Sequence, residues 1–280
     1  MKLQNCKYTS ASGGCDLLGH PEMNVLDCLW NCGFYSNQFQ IFCSLLILMR
    51  HGIVPDKIDY SMGFKHFKKD PNQDIYPLFH QIDKNQPVDL FADIDIPDAN
   101  KFQKNLYNFE IYNQITKRFF NPSDIINDRK KYLLEKYQID TSKTISVLYR
   151  GTDKGTELKL ANPEQYMVVT KSLLSQNSDF KVLLQTDQTQ VIHYFHEELR
   201  DRLVIFEETP STTSNRVIWS LMEQNGADSI DWSQWFDAAL RCVSDCKYVV
   251  NHTGNVGMFM NLYRGNLEGV YQFNESGDLG

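Results

Sequence analysis

Four charged side chains lie within eight residues of the chain, directly after an apolar run. The run at 145–148 is rich in apolar and β-branched residues, which is typical of a buried strand. The charged residues that follow it are Arg150, Asp153, Lys154 and Glu157. A guanidinium can hold a phosphate through two hydrogen bonds, and a nearby carboxylate can take a proton from a hydroxyl group. This stretch therefore predicts a site that combines anion binding with general-base chemistry.

A helix is expected to begin soon after these charges. Asn162 is a residue type that favours helix N-caps, and Pro163 suits the first helical turn. The strand thus delivers the charged residues to its carboxyl end, just before a helix, which is where open α/β sheets bind ligands. A solvated cluster of surface charges is the alternative interpretation. The well-marked strand exit and helix start favour the binding site.

The same residues carry a resemblance to a known family. They are similar to the first motif of the α1,6-fucosyltransferases in two segments: Arg150-Gly151-Thr152-Asp153-Lys154-Gly155-Thr156-Glu157 and Asn162-Pro163-Glu164-Gln165-Tyr166-Met167. These enzymes form a superfamily with the protein O-fucosyltransferases and the bacterial nodulation fucosyltransferases. The family has two adjacent arginines and one more residue before its Gly-Thr-Glu. Here Gly151 stands at the second arginine, and the loop is one residue shorter.

The resemblance implies roles for the charged residues of this loop. Arg150 matches the arginine that holds the donor diphosphate, and Glu157 matches the glutamate implied to be the catalytic base. Lys154, three residues before that glutamate, is expected to belong to the catalytic residues with Arg150 and Glu157, and Asp153 is expected to contribute to the donor site.

Two later strand ends resemble further motifs of the family. Asp187 follows an apolar run and resembles the second motif, which ends in Thr-Asp-Asp, although the last residue here is Gln188. Thr253, Gly254 and Asn255 follow another apolar run and precede a helix, where the family's third motif has serines. Hydroxyl, amide and backbone N–H groups at a helix start suit a phosphate. We expect Asp187 and the 253–255 segment to bind the donor.

Three more residues complete the predicted donor site. Asp237 matches the aspartate that reads the donor base in the family. Gly33 and Asn37 lie in a glycine-containing polar segment before an apolar helix expected over 38–50, and a turn there can present its amides to an anion. The segment resembles the Gly-rich, Asn-Gln-containing part of the family's donor pocket.

The composition limits the class of protein. The chain has 280 residues, 42% of them hydrophobic and 22% charged, as in ordinary globular proteins with a sizeable core. Its net charge of −7 argues against nonspecific nucleic-acid binding, which needs a basic face. The most apolar run, at 41–49, is too short to span a bilayer, and the first 14 residues are too polar for a signal-peptide core. We expect a cytoplasmic protein with no membrane span and no nucleic-acid partner.

The spacing of elements predicts an α/β fold. A polar stretch at 140–143 is the expected junction between an N-terminal region, 1–140, and a C-terminal region, 141–280. The C-terminal region predicts alternating strands and helices, and hence a doubly wound parallel sheet. Its strands are expected at 144–149, 180–185, 203–207, 248–251 and 269–273, and its helices at 163–176, 188–201, from about 216, from about 233 and at 256–263. With the resemblance, this implies a GT-B-like protein of two Rossmann-like lobes with the active site in the cleft between them.

The predicted function is that of an inverting, metal-independent glycosyltransferase. The C-terminal lobe would bind a nucleotide sugar, GDP-fucose by resemblance or UDP-xylose, and the N-terminal lobe a glycan acceptor. Two other classes stay open. Asp93 and Asp95 form an Asp-x-Asp that would hold a divalent cation in a metal-dependent transferase, and a turn is the alternative. A non-catalytic protein that binds a sugar or nucleotide is the other, with Glu157 merely paired to Lys154.

Overall fold

The computed structural model describes residues 24–89, 109–152, 159–214 and 228–280, and the backbone of 6–9 and 18–19. Backbone contacts divide the chain into two compact units. The first comprises Met1–Pro97 and Tyr107–Ile126, and the second comprises Asp98–Leu106 and Asn127–Gly280. The expected junction at 140–143 lies further along the chain, so the assignment of an acceptor lobe over 1–140 and a donor lobe over 141–280 stays a prediction.

The first unit contains a four-stranded sheet and a small antiparallel pair. The sheet has the order β2-β1-β3-β4, in which β1, β3 and β4 are parallel and β2 is antiparallel to β1. Its strands are β1 (Cys6–Thr9), β2 (Leu18–Gly19), β3 (Val25–Asp27) and β4 (Lys57–Asp59). The pair joins β5 (His80–Gln81) to β6 (Asn121–Pro122), and helix α2 (Phe109–Phe119) comes between them in sequence.

Helix α1 (Phe34–Arg50) is the main helix of the first unit. It begins four residues earlier than the sequence predicts, because Phe34 and Tyr35 are buried rather than part of a polar loop. The Phe34 ring packs against the rings of Phe64 and Phe79, with centroids 5.3 and 4.5 Å apart. Burial of aromatic rings in such pairs adds about 1 kcal/mol each beyond the apolar area. This cluster fixes the direction in which the chain enters α1.

The second unit contains a five-stranded parallel sheet with the order β11-β10-β7-β8-β9. Its strands are β7 (Thr144–Tyr149), β8 (Lys181–Thr186), β9 (Leu203–Val204), β10 (Tyr248–His252) and β11 (Val270–Phe273). Its helices are α3 (Asp124–Lys136), which starts in the first unit, α4 (Pro163–Gln176), α5 (Thr189–Leu199), α6 (Ser229–Asp245) and α7 (Asn255–Arg264). The alternation of parallel strands and helices confirms the predicted α/β class. A helix expected from about residue 216 falls outside the described residues.

Strand β7 lies at the centre of this sheet, and every one of its residues is buried. Ile145 and Val147 share one core cluster with Leu173 of α4 and Phe195 of α5. Ser146 points to the opposite face, where its hydroxyl donates to the carbonyl of Val243 in α6 at 2.8 Å. Helices therefore cover both faces, as in a doubly wound sheet. None of the described helices is both long enough and apolar enough to cross a bilayer.

Candidate functional site

The strand order of the second unit reverses between β7 and β10. The chain runs outward from β7 through β8 to β9, then returns to β10 on the other side of β7 and continues to β11. In open α/β sheets, ligands bind outside the carboxyl ends of the two strands that meet at such a point. The last residues that these two strands pair with each other are Val147 and Val250, and Arg150 and Thr253 each lie three residues further along. The topology therefore brings two of the predicted segments to one edge.

Asp187 ties the beginning of the Arg150 loop to the end of β8. Its carboxylate accepts hydrogen bonds from the Gly151 N–H at 3.0 Å and the Thr152 hydroxyl at 2.8 Å. The same group forms an ion pair with the Nε atom of Arg150 at 3.5 Å. The Asp187 side chain is 8% exposed and that of Arg150 is 20% exposed, so this ion pair is largely shielded from solvent. Asp187 thus acts on the loop itself and fixes where Arg150 leaves the sheet.

Tyr149, the last residue of β7, directly precedes this loop. Its ring is buried and packs edge to face against the ring of Tyr166, with centroids 5.1 Å apart. Burial raises the pKa of Tyr149 above its usual value, and the negative charge of Asp187 adds to the rise. The phenol is therefore neutral at physiological pH.

Two glycines shape the start of α7. Gly254 precedes the helix with φ 119° and ψ 171°, a conformation that L residues rarely adopt, and no side chain caps the helix there. A Cβ atom at Gly257 would collide with the carbonyl oxygen of His252 and lie 3.2 Å from its carbonyl carbon. The first turn of α7 therefore lies directly on the end of β10. Gly257 was not among the residues predicted from the sequence, although two glycines three residues apart where a strand passes into a helix are a usable signal.

The backbone N–H of Thr253 is used by the sheet and is not available to an anion. Its backbone N–H donates to the carbonyl of Phe273 in β11 at 2.9 Å, so this N–H belongs to the sheet. The residue is fully buried, and the neighbouring Asn255 is partly exposed. A helix N-terminus attracts an anion through its first N–H groups and its dipole. The anion donors expected over 253–255 therefore begin after the Thr253 N–H.

Asp237 lies within α6 and is fully buried. Its carboxylate binds the Nε atom of Arg241 at 2.9 Å and the hydroxyl of Tyr263 at 3.2 Å. The Arg241 guanidinium also stacks on the Tyr263 ring at 3.8 Å from its centroid. These contacts join α6 to α7 beneath the sheet edge. Recognition of a donor base by Asp237 stays a prediction.

Gly33 and Asn37 belong to the first unit. Gly33 is the N-cap residue of α1, again without a side-chain cap. Asn37 is fully buried, and its carboxamide accepts from the Cys32 N–H at 3.0 Å and donates to the Cys32 carbonyl at 3.2 Å. The amide therefore holds the turn that leads into α1. Contact of either residue with a donor stays a prediction.

Several predicted residues lie outside the described part of the chain. They are Asp153, Lys154 and Glu157 of the first motif, and Asp93 and Asp95 of the Asp-x-Asp. The chain is described again from Lys159, whose N–H donates to the carbonyl of Glu275 at 3.2 Å. Among the described residues, no three His, Cys, Asp or Glu side chains converge as metal ligands do.

Comparison with known proteins gives a result for the fold. No protein-family model and no curated protein sequence matches the chain. Among solved structures, the fucosyltransferase NodZ from Bradyrhizobium is similar over 99% of this chain and 98% of its own, with 12% sequence identity and a TM-score of 0.56. A structure of NodZ alpha-1,6-fucosyltransferase co-crystallized with GDP gives the same values. One soaked with GDP-fucose has a TM-score of 0.57 at the same identity and coverage.

The similarity covers nearly the whole length of both chains, so it includes both compact units. It confirms the fold class that the sequence predicts. The chain therefore shares the GT-B-like α/β fold of the NodZ fucosyltransferases.

Proposed function

We propose that this protein is an inverting glycosyltransferase that moves one sugar from a nucleotide-diphosphate donor to a hydroxyl group of a glycan acceptor. The observation that carries the proposal is the arrangement at the sheet edge. There, Arg150 follows β7 and is ion-paired to Asp187, and the start of α7, which has no side-chain cap, follows the neighbouring parallel strand β10. A guanidinium and a helix N-terminus are two groups that bind phosphate in proteins. A diphosphate supplies enough oxygen atoms to bind both at once.

The chemistry assigns one task to each charged group. The acceptor oxygen forms a bond to the anomeric carbon of the donor sugar, from the face opposite the diphosphate. The bond between that carbon and the diphosphate oxygen breaks, and the nucleoside diphosphate leaves with its electron pair. Glu157 takes the proton of the acceptor hydroxyl, and Lys154, three residues earlier, is proposed as a further catalytic residue. Arg150 and the start of α7 stabilise the negative charge that builds on the departing diphosphate.

The donor that we propose is GDP-fucose. The first motif of the chain resembles that of the fucosyltransferases, and the NodZ structures that share its fold were obtained with GDP and with GDP-fucose. In this proposal Asp153, Thr253, Gly254 and Asn255 line the diphosphate site. Asp237 is proposed to read the donor base. Donor contacts by Gly33 and Asn37, and acceptor binding by the N-terminal region, are separate proposals.

Metal independence is part of the proposal. Two cationic elements at the diphosphate, Arg150 and the helix dipole, supply the charge that a divalent ion supplies in other transferases. We expect donor turnover to persist in excess chelator. If activity disappears in chelator and returns with Mg²⁺ or Mn²⁺, the metal-dependent mechanism through Asp93 and Asp95 replaces this one.

A pair of measurements tests the function. GDP, UDP, GDP-fucose and UDP-xylose are titrated calorimetrically into the protein, and release of GDP from GDP-fucose is then followed with a panel of glycan acceptors. We expect GDP to bind more tightly than UDP, and acceptor-dependent GDP release that Glu157→Gln abolishes while GDP binding persists. Tight GDP binding with no turnover on any acceptor would support a non-catalytic binding protein. Binding of UDP in preference to GDP would overturn the assigned donor.

A further inference from the structure

The two positions at which the chain departs from the fucosyltransferase motifs are in contact with each other. Gly151 stands where the family has its second arginine, and Gln188 stands where it has its second aspartate. A Cβ atom at Gly151 would lie 2.6 Å from the Cδ atom of Gln188 and would collide with its Oε1 atom. The Gln188 carboxamide therefore occupies the space that a side chain at position 151 would need.

The requirement for glycine at position 151 is steric. Gly151 is not among the glycines with a positive φ angle, so an L residue could adopt its backbone conformation. A Cβ atom there would also lie 2.8 Å from the Cε1 atom of Tyr149, whose ring is buried against Tyr166. The space beside Gly151 is thus closed on one side by a rigid ring and on the other by the end of the Gln188 side chain.

The backbone around Gln188 is held by hydrogen bonds on both sides of the residue. The Thr212 N–H donates to the carbonyl of Asp187 at 2.9 Å, and the Thr189 N–H donates to the carbonyl of Thr212 at 3.0 Å. The Gln188 N–H itself donates to the Thr186 hydroxyl at 3.2 Å. Neighbouring Asp187 meanwhile holds the Gly151 N–H and the Thr152 hydroxyl. Two successive residues after β8 therefore contact the Arg150 loop. Asp187 binds it through hydrogen bonds and an ion pair, and Gln188 fills the space beside Gly151.

We propose that Gln188 is a positioning residue for Arg150, and that Gly151 and Gln188 form one coupled pair. The Gln188 carboxamide fills the space beside Gly151 and so restricts movement of the loop, and Arg150 keeps the direction that Asp187 gives it. Gly151 and Gln188 together carry no net charge, and neither do the arginine and aspartate that the family motifs have at these two positions. The net charge of the pair is therefore the same in both cases. The effect of the pair on nucleotide binding rests on the proposed function, whereas its effect on folding does not.

A double-mutant cycle tests the coupling in the full-length protein. Gly151→Ala, Gln188→Ala and the double variant are compared with the parent by thermal unfolding. We expect Gly151→Ala to lower the Tm by several degrees in the parent background. In the Gln188→Ala background, where one of the two obstructing groups is gone, the same change should lower it by less than half as much. Equal losses in both backgrounds would overturn the coupling.

Calorimetric titration with GDP tests the positioning role. We expect Gln188→Ala to weaken GDP binding about tenfold, the loss expected when an anchored charged group gains freedom. The same change made in Arg150→Ala should weaken GDP binding no further, because Gln188 acts through Arg150. Gln190→Ala, which removes an exposed glutamine from the first turn of α5, is the matched control and should match the parent.

The outcomes separate this proposal from the function it builds on. Additive losses of GDP affinity for Gln188→Ala and Arg150→Ala, or an unchanged affinity for Gln188→Ala, would overturn the positioning role. If the parent binds no nucleotide, the proposed function fails, and the thermal cycle alone then decides whether Gly151 and Gln188 are coupled.

Discussion

Helices α4 and α7 both begin at the carboxyl edge of the same sheet, yet their first turns are built in opposite ways. The start of α4 is closed by its own side chains. The Asn162 side chain accepts from the Gln165 N–H at 2.9 Å, and the Gln165 side chain accepts from the Asn162 N–H at 2.9 Å. Pro163 removes one further N–H from the first turn. This capping box satisfies the helix without a ligand.

The start of α7 has none of these features. A glycine with a positive φ angle precedes it, no side chain caps it, and Gly257 lets the first turn lie against the end of β10. On the neighbouring strand β7, Arg150 is held by Asp187 rather than by solvent. The difference indicates that side chains cap the N-terminus of a helix, α4, that has no ligand to bind. At the start of α7, where we propose that an anion binds, no side chain caps the helix.

Replacement of Arg150 by alanine should have the largest effect of the changes at the proposed anion site, which comprises the Arg150 loop and the start of α7. It removes the cation from a diphosphate site and leaves the negative charge of Asp187 there without a cationic partner in Arg150, so that this charge repels the ligand. We expect GDP affinity to fall about 100-fold, since truncating one member of a shielded charge pair typically costs 2–5 kcal/mol. Calorimetry with GDP measures this, with the exposed Arg202→Ala as the control. An affinity within about threefold of the parent would exclude Arg150 as the diphosphate ligand.

Gly257→Ala should destabilise the protein where the first turn of α7 lies on the end of β10. The added methyl group meets the His252 backbone, which cannot rotate away as a side chain can. We expect the free energy of unfolding in urea to fall by about 3 kcal/mol, the upper part of the range for overpacking. Gly33→Ala is the matched control, because its Cβ atom would meet only the Ser36 Oγ atom at 3.7 Å. It should cost less than about 1 kcal/mol as a poorer N-cap residue, and equal losses for both would refute the close approach of α7 to β10.

Asp187→Asn separates the charge of this residue from its shape. The asparagine keeps one acceptor oxygen but turns an N–H₂ group toward a donor of the loop, and its ion pair with Arg150 is lost. We expect the free energy of unfolding to fall by about 2 kcal/mol, with weaker GDP binding in calorimetry. The control is Asp179→Asn, which removes only the exposed pair with Lys143 and should change neither quantity. A parent-like Asp187→Asn variant would show that the loop does not depend on this carboxylate.

Asn162→Ala should have the smallest effect, and on stability alone. Loss of the capping box at α4 should lower the free energy of unfolding by about 1 kcal/mol. Because this helix start binds no ligand in our account, GDP affinity should stay within about twofold of the parent. A strong loss of GDP binding would mean that the closed start also belongs to the site.

The sequence was most informative where local signals agree. Strand β7 and helix α4 have the predicted bounds, because an apolar run and an Asn-Pro pair mark their ends without help from the rest of the chain. Helix α6 begins at Ser229, four residues before the expected start, because Asp228 caps it and the sequence analysis did not use that signal. The alternation of elements was enough to predict the parallel sheet.

The contacts that shape the site could not be predicted from local sequence signals. Asp187 accepts a hydrogen bond from Gly151 across 36 residues of chain, and a Cβ atom at Gly151 would meet the end of the Gln188 side chain. The Thr253 N–H looked available because the sequence does not reveal that β11 pairs with β10. Such facts depend on strand order, which a local pattern does not encode.

A crystal structure of the protein with GDP is the most direct test of the central claim. We predict that diphosphate oxygens lie about 3 Å from the Arg150 guanidinium and from N–H groups in the first turn of α7. A GDP molecule bound elsewhere, or bound here with Arg150 turned away from its phosphates, would contradict the account.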